Sequence, residues 1–107
     1  MVFMVQRIWI VISTVDSEPA ARELASGAVQ AGLAACAQVG SPISSHYTWT
    51  GRAEEAREWR ITYKTGESRR DALMAWVRAQ HPYEVPEIVG WEAPAVDRDY
   101  AAWITGA

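Results

Sequence analysis

The sequence is poor in the residue types that most often bind metals or act as nucleophiles. It contains one cysteine, Cys36, and two histidines among its 107 residues. A single cysteine excludes an internal disulfide and suits a reducing compartment. A zinc-type site needs three or four ligands, and these three residues lie at no recognisable ligand spacing. No phosphate-binding glycine loop and no nucleophile elbow occurs either. These absences predict a protein without catalytic residues and without a firmly held cofactor.

Long apolar runs and an excess of basic residues are also missing. No hydrophobic stretch approaches 18 residues, and the apolar residues 1–5 lack the charged leader and the length of a signal peptide. The net charge is −3, with acidic and basic residues interleaved. This argues against a nucleic-acid partner and against binding to an anionic membrane. We therefore predict one cytoplasmic domain over residues 1–107.

The most constrained stretch present is His81-Pro82-Tyr83-Glu84-Val85-Pro86-Glu87-Ile88, called the octet below. Its two prolines fix φ near −65° and push the residue before each of them out of the helical region. A helical pattern over residues 69–80 must therefore end at His81, and the chain must then run extended into a strand through Trp91. An imidazole, a phenol and two carboxylates lie along this rigid connection. Both a functional role and a purely structural helix stop remain open.

The remaining elements follow from hydrophobic periodicity and turn residues. Strands are predicted at residues 8–15, 33–39 (resuming at 45–49) and 53–65. One helix is predicted between a cap at residues 16–19 and Gly32, a second after a capping box of Ser68 and Asp71, and a third after a cap at Asp97. The order β-α-β-β-α-β with a short C-terminal helix indicates an α+β, ferredoxin-like sandwich. Its antiparallel sheet carries both long helices on one face.

Three features predict self-association. An extended strand over residues 53–65 would span about 40 Å at ~3.3 Å per residue. A domain of this size is only about 30 Å across, so the hairpin should overhang and expose strand edges. Six tryptophans are also too many for so small a core. Finally, one sheet face has no helix to cover it.

Candidate site residues are few. Cys36 follows two alanines and is best interpreted as a small core residue. His81 could titrate or bind metal, and His46 lies mid-strand, although a single histidine is more often structural. Lys64 precedes the second helix, where lysine and free backbone donors favour an anion, with an ordinary exposed lysine as the alternative. Glu84 and Glu87 are not expected to converge, because residues three apart on an extended segment point to opposite faces.

An RNA-recognition module has the same strand order. Its third strand should carry a glycine-containing aromatic motif that stacks bases. Residues 58–64 read Glu-Trp-Arg-Ile-Thr-Tyr-Lys, without glycine and in an acidic chain. The RNA-recognition alternative is therefore disfavoured.

Taken together, these pieces resemble the CutA family of divalent-cation tolerance proteins. The matching segments are Gly32-Leu33-Ala34-Ala35-Cys36, Tyr47-x-Trp49-x-Gly51, Glu58 with Lys64-Thr65, the octet, and Tyr100-x-x-Trp103. The resemblance implies a ferredoxin-like subunit in a homotrimer similar to the PII signalling proteins. It also implies a response to copper and other divalent cations, with no reaction attached. Tyr47, Trp49 and Trp103 are then expected at the subunit interface.

The chain departs from the family at the copper site that the resemblance implies. That site uses a cysteine near the end of the first strand and two adjacent histidines before Pro-Tyr. Here the corresponding residues are Ser13, Gln80 and His81. Serine and glutamine are poor ligands for a soft or borderline metal, so His81 is the one candidate metal ligand left. Copper or zinc would then be bound weakly.

The leading functional hypothesis is a non-enzymatic trimer that binds a divalent cation or a small ligand at clefts between subunits. His81, Tyr83, Glu58 and Lys64 would line each cleft. The alternative is a structural or anchoring trimer whose assembly is its function, with no metal role. A small acyl- or phosphoryl-transfer enzyme using Lys64 and a carboxylate ranks last, since no nucleophile–base pair supports it.

Overall fold

The computed structural model describes residues 6–107, so the interpretation of residues 1–5 lies outside the described part of the chain. The elements follow the predicted order, with the second strand in two pieces. They are β1 (Ile8–Val15), α1 (Glu18–Gln30), β2 (Cys36–Val39), β3 (Ile43–Trp49), β4 (Arg52–Gly66), α2 (Glu67–Gln80), β5 (Ile88–Glu92) and α3 (Arg98–Gly106). Within these residues, no helix is both long and apolar enough to cross a membrane.

The strands form an antiparallel sheet in the order β2-β4-β1-β5, and β3 extends the pairing along the far half of β4. The predicted break at residues 40–42 separates β2 from β3, because Pro42 lacks the donor that a continuous strand needs. Both long helices pack on one face of this sheet. The α+β, ferredoxin-like prediction is therefore confirmed.

The helix ends are set by local sequence, with one prediction wrong. The Ser17 hydroxyl caps α1 by accepting a hydrogen bond from the Ala20 N–H at 3.2 Å, and α2 ends at Gln80, with the octet beginning in extended backbone at His81. The capping box of Ser68 and Asp71 does not form. Strand β4 runs straight into α2, so Gly66 takes the N-cap position and Ser68 is already helical.

The core has two parts. The larger one lies between the sheet and helices α1 and α2. A smaller one lies beneath α3, where Ala101 and Ile104 cover Ile8 on the other sheet face. Arg69 joins the two regions, because its guanidinium donates to the carbonyls of Gly32 at 3.1 Å and Ile104 at 2.7 Å. Helix α3 therefore covers one end of the second face and leaves the rest of it open.

The molecule is elongated, as the overhang argument predicted. Its extents are 57 × 25 × 23 Å. Beyond Trp59, β4 pairs only with β3 within residues 6–107, so this hairpin projects from the sheet. Side chains alternate along β4, and its even-numbered residues lie on the face away from α1 and α2. The large apolar residues that stay exposed on this face and on α3 are Tyr47, Trp49, Val89, Trp91, Tyr100 and Trp103.

Candidate functional site

The candidate site forms where β1 stops and β4 continues. Val15, the last residue of β1, pairs with Trp59. The next β4 residue outward, Glu58, therefore has no β1 partner beside it. The octet leaves α2 at this end of the sheet and brings His81 and Tyr83 to the vacant position. The difference in length between the two strands thus creates the site, and the rigid octet fills it.

His81 is held by hydrogen bonds at both ring nitrogens. It is 7% exposed. Nδ1 accepts from the backbone N–H of Tyr83 at 3.1 Å, so the ring proton lies on Nε2, which donates to the Thr14 carbonyl at 2.7 Å. In this neutral tautomer no ring lone pair is free for a metal. The geometry gives His81 a positioning role, and its predicted role as a metal ligand remains a prediction.

Tyr83 carries the contact from His81 to Glu58. The two rings meet edge to face with centroids 4.7 Å apart, and the Tyr83 hydroxyl donates to Glu58 Oε2 at 2.8 Å. Glu58 is 8% exposed. Burial, followed by the bond to the Glu58 carboxylate, raises the pKa of the Tyr83 phenol well above its usual range. The phenol is therefore a fixed, neutral donor to a nearly buried carboxylate.

The surroundings of this pair are acidic. The Thr14 hydroxyl donates to Glu87 Oε2 at 3.2 Å, and the charge of Asp16 contributes to the raised pKa of Tyr83. The structure brings Glu87 but not Glu84 to Thr14, which agrees with the expectation that the two carboxylates do not converge. Negative charge beside a half-buried hydroxyl favours a cation or a ligand rich in hydrogen-bond donors.

Lys64 does not join the other predicted site residues within one chain. Its ammonium donates to the Tyr100 hydroxyl at 3.4 Å and lies 5.5 Å from the centre of that ring. Tyr100 in turn stacks on Trp103 with centroids 5.8 Å apart. Since Lys64 and Glu58 lie on the same strand, they are about 20 Å apart at ~3.3 Å per residue. The four-residue cleft expected from the sequence is therefore not present in a single subunit.

Ser13 and Gln80, which replace the expected copper ligands, have other roles. Ser13 is fully buried, and its hydroxyl lies 3.1 Å from the Tyr63 hydroxyl inside the core. Burial raises the pKa of Tyr63, and the bond to Ser13 opposes this effect. Gln80 is exposed at the end of α2. Residues 6–107 contain no group of three or more His, Cys, Asp or Glu side chains placed to hold a metal ion.

Sequence reasoning missed Thr14 and Asp16. Thr14 enters the site through its backbone carbonyl as well as its hydroxyl. It lies inside a β-branched run that reads as an ordinary strand, so its residue type carries no signal of this role. Asp16 was interpreted only as part of a helix cap, and its position next to the strand end is the one clue that could have identified it.

Comparison with known proteins agrees with this fold. The family model described as CutA1 divalent ion tolerance protein matches residues 9–107. The divalent-cation tolerance protein CutA of Yersinia pestis is 29% identical over 98 residues, which cover 92% of this chain and 82% of that protein. The chain belongs to the CutA1 divalent ion tolerance family. The resemblance identified from the sequence is therefore confirmed.

Solved structures give the same result. CutA1 from Thermus thermophilus is 35% identical, with a TM-score of 0.88 and coverage of 92% of this chain and 96% of that one. CutA from Synechococcus elongatus is 35% identical, with a TM-score of 0.87 and coverage of 95% and 90%. The Synechococcus elongatus protein has also been solved in complex with Bis-Tris; that chain is 34% identical, with a TM-score of 0.84 and coverage of 95% and 94%.

Proposed function

We propose that this protein is a non-enzymatic, self-associating cytoplasmic member of its family that binds a small ligand or a divalent cation beside Glu58 and Tyr83. The observation that carries the proposal is the nearly buried Glu58 carboxylate, whose one side-chain hydrogen bond within residues 6–107 comes from Tyr83. A buried charge is costly unless it is fully paired. A cation or donor-rich ligand supplies the pairing that the chain itself leaves incomplete.

The chemistry of the site favours a protonated amine or a hydroxyl-rich ligand. Both could donate to Glu58 and Glu87. A relative binds Bis-Tris, a tertiary amine with several hydroxyl groups, which supports this choice. Copper or zinc binding through His81 remains the alternative. It would require Nδ1 to give up its bond to Tyr83 or Nε2 to give up its bond to Thr14.

Calorimetry with Bis-Tris, Cu²⁺ and Zn²⁺ tests this proposal. We expect Glu58→Gln to weaken Bis-Tris binding by about tenfold or more, equivalent to about 1.4 kcal/mol. Glu54→Gln is the matched control, because Glu54 lies on the same side of β4 but is exposed. If both variants bind all three probes as the wild type does, Glu58 is not the binding residue. Equal metal binding by wild type and His81→Ala removes His81 from the metal proposal.

Assembly into a homotrimer is part of the proposal. The exposed aromatic residues of the open face and of α3 support it, among them Trp49 at 48% exposure and Trp103 at 52%. Tyr47, Trp49 and Trp103 are the interface residues we propose. Lys64 enters the ligand site only if a neighbouring subunit supplies it. Size-exclusion chromatography with light scattering should give about three times the 11.9 kDa of one chain.

The same open face favours a second candidate function, an anchoring trimer whose assembly is its role. In this case the octet only satisfies buried polar groups. If the trimer persists to high temperature while no ligand shifts its unfolding temperature, the anchoring function gains support. A monomer of 11.9 kDa in dilute buffer would contradict both functions.

A further inference from the structure

The chain has only two histidines, and their surroundings differ sharply. His81 is buried with both ring nitrogens in hydrogen bonds. The side chain of His46, in the middle of β3, is 69% exposed. A metal needs an accessible, unprotonated ring nitrogen. If an imidazole of this protein binds a divalent cation, His46 can do so without breaking any contact in the core.

Two polar side chains lie beside His46, Glu55 across the hairpin and Ser44 two residues earlier on β3. Glu55 is its directly paired residue on β4, and His46 Nε2 lies 3.8 Å from Glu55 Oε1. The Ser44 hydroxyl lies between them, 3.1 Å from His46 Nε2 and 3.0 Å from Glu55 Oε1. We call these three residues the hairpin cluster. An imidazole nitrogen and a carboxylate oxygen thus lie within reach of one ion, with the Ser44 hydroxyl hydrogen-bonded beside them.

We propose that the hairpin cluster is a second, weak divalent-cation site, in which His46 and Glu55 are the ligands, water completes the coordination and Ser44 orients the Glu55 carboxylate. Zinc binds imidazole nitrogen at 2.0–2.1 Å and carboxylate oxygen at 2.0–2.2 Å, which in a tetrahedron separates the two ligand atoms by roughly 3.4 Å. The observed 3.8 Å needs only a small adjustment. Both side chains are about two-thirds exposed, so they are free to make it.

The surroundings leave room for such an ion. An open hollow of about 520 Å³ adjoins the cluster and is lined by Pro42, Ile43, Ser44, Glu55, Ala56 and Arg57. The Arg57 guanidinium lies over the Trp59 ring, 5.4 Å from its centre. Among the ion pairs of residues 6–107 it makes none with Glu55. The carboxylate therefore keeps its charge available to a cation.

This site differs from the proposed ligand site at Glu58. Glu55 lies three positions further along β4, about 10 Å away at ~3.3 Å per residue. Because side chains alternate along a strand, Glu55 also points to the opposite side from Glu58. Its ligand set of imidazole and carboxylate favours Zn²⁺ or Cu²⁺ over Mg²⁺ or Ca²⁺, which prefer oxygen ligands.

The two histidines make the test direct. In the tag-free protein, the imidazole Hε1 signals can be assigned by their loss in His46→Gln and His81→Ala. We expect a Zn²⁺ titration to shift the His46 signal and leave the His81 signal in place, while excess Mg²⁺ shifts neither. A shift of the His81 signal alone, or of neither signal, would overturn the proposal.

Calorimetry with Zn²⁺ then separates this site from the one at Glu58. We expect His46→Gln and Glu55→Gln each to weaken zinc binding by about tenfold or more. Glu54→Gln is the matched control, since Glu54 neighbours Glu55 but lies on the other side of the strand. Loss of zinc binding in Glu58→Gln with normal binding in Glu55→Gln would refute the hairpin site. Loss of Bis-Tris binding alone in Glu58→Gln leaves the two sites independent.

Discussion

Removing the Tyr83 hydroxyl tests whether the contact with Glu58 is the stabilising interaction of the site. In Tyr83→Phe the ring remains and keeps its edge contact with His81, so packing changes little. The Glu58 carboxylate, 8% exposed, loses the 2.8 Å bond donated by the phenol. A hydrogen bond to a charged group contributes about 1.5–3 kcal/mol. We therefore expect Tyr83→Phe to lower the free energy of unfolding by about 2 kcal/mol.

A double variant separates the bond from its surroundings. Removing both partners of a buried hydrogen bond costs much less than leaving one of them unpaired. Tyr83→Phe combined with Glu58→Leu should therefore be more stable than Tyr83→Phe alone. Ser26→Ala is the control, because the Ser26 hydroxyl is exposed on α1, away from the proposed interface residues, and its loss should change stability by no more than about 0.5 kcal/mol.

The assay is guanidinium unfolding followed by tryptophan fluorescence. All variants must be compared at one protein concentration, since self-association would couple stability to concentration. A loss below about 0.5 kcal/mol for Tyr83→Phe would fall within the range of ordinary surface substitutions. That result, or additive losses in the double variant, would refute the view that Glu58 depends on Tyr83.

Two further predictions concern the core and high pH. Gly27→Ala should destabilise the protein by about 1–3 kcal/mol through overpacking, because a Cβ at Gly27 would lie 2.8 Å from the Trp76 ring. Helix propensity alone predicts the opposite, a stabilisation of about 1 kcal/mol, and that result in an unfolding experiment would contradict the prediction. The pKa values of Tyr63 and Tyr83 are raised by burial, so the unfolded chain loses these protons first and stability should fall as the pH rises above about 10. Tyrosinate absorbance at such a pH should be lower in the folded protein than in guanidinium, and equal absorbance would be the contrary result.

The sequence predicted the fold well because its signals are local. Pro82 and Pro86 act on their own φ angles and on the residues before them, and they ended α2 where expected. The alternation of apolar and polar residues along β4 likewise depends on that strand alone. The wrong capping box shows the limit of such signals. Whether Ser68 is an N-cap depends on where β4 ends, and pairing with β1 carries β4 on to Gly66.

The site was predictable only in part, since its contacts join distant segments. Tyr83 and Glu58 are 25 residues apart, and His81 and Thr14 are 67 apart. The family resemblance and the octet identified Tyr83, Glu58 and His81 from the sequence, but not Thr14. The sequence could not reveal that both nitrogens of His81 are occupied, because one partner is a backbone carbonyl. It also grouped Lys64 with Glu58 at a cleft between subunits. The predicted strand over residues 53–65 already separates the two residues within one chain, so only a second subunit could bring them together.

The unequal lengths of β1 and β4 would link the proposed ligand site to the proposed assembly. Strand β1 ends at Val15, opposite Trp59. On that side of β4, the edge from Arg52 to Glu58 therefore pairs with no strand of the described chain. The octet covers this edge only at Glu58. An uncovered strand edge favours pairing with another chain. A second subunit placed there would lie against Glu58 and Tyr83, and would become part of the wall of the ligand site. Ligand binding and self-association would then stabilise each other, because each orders the same edge of β4.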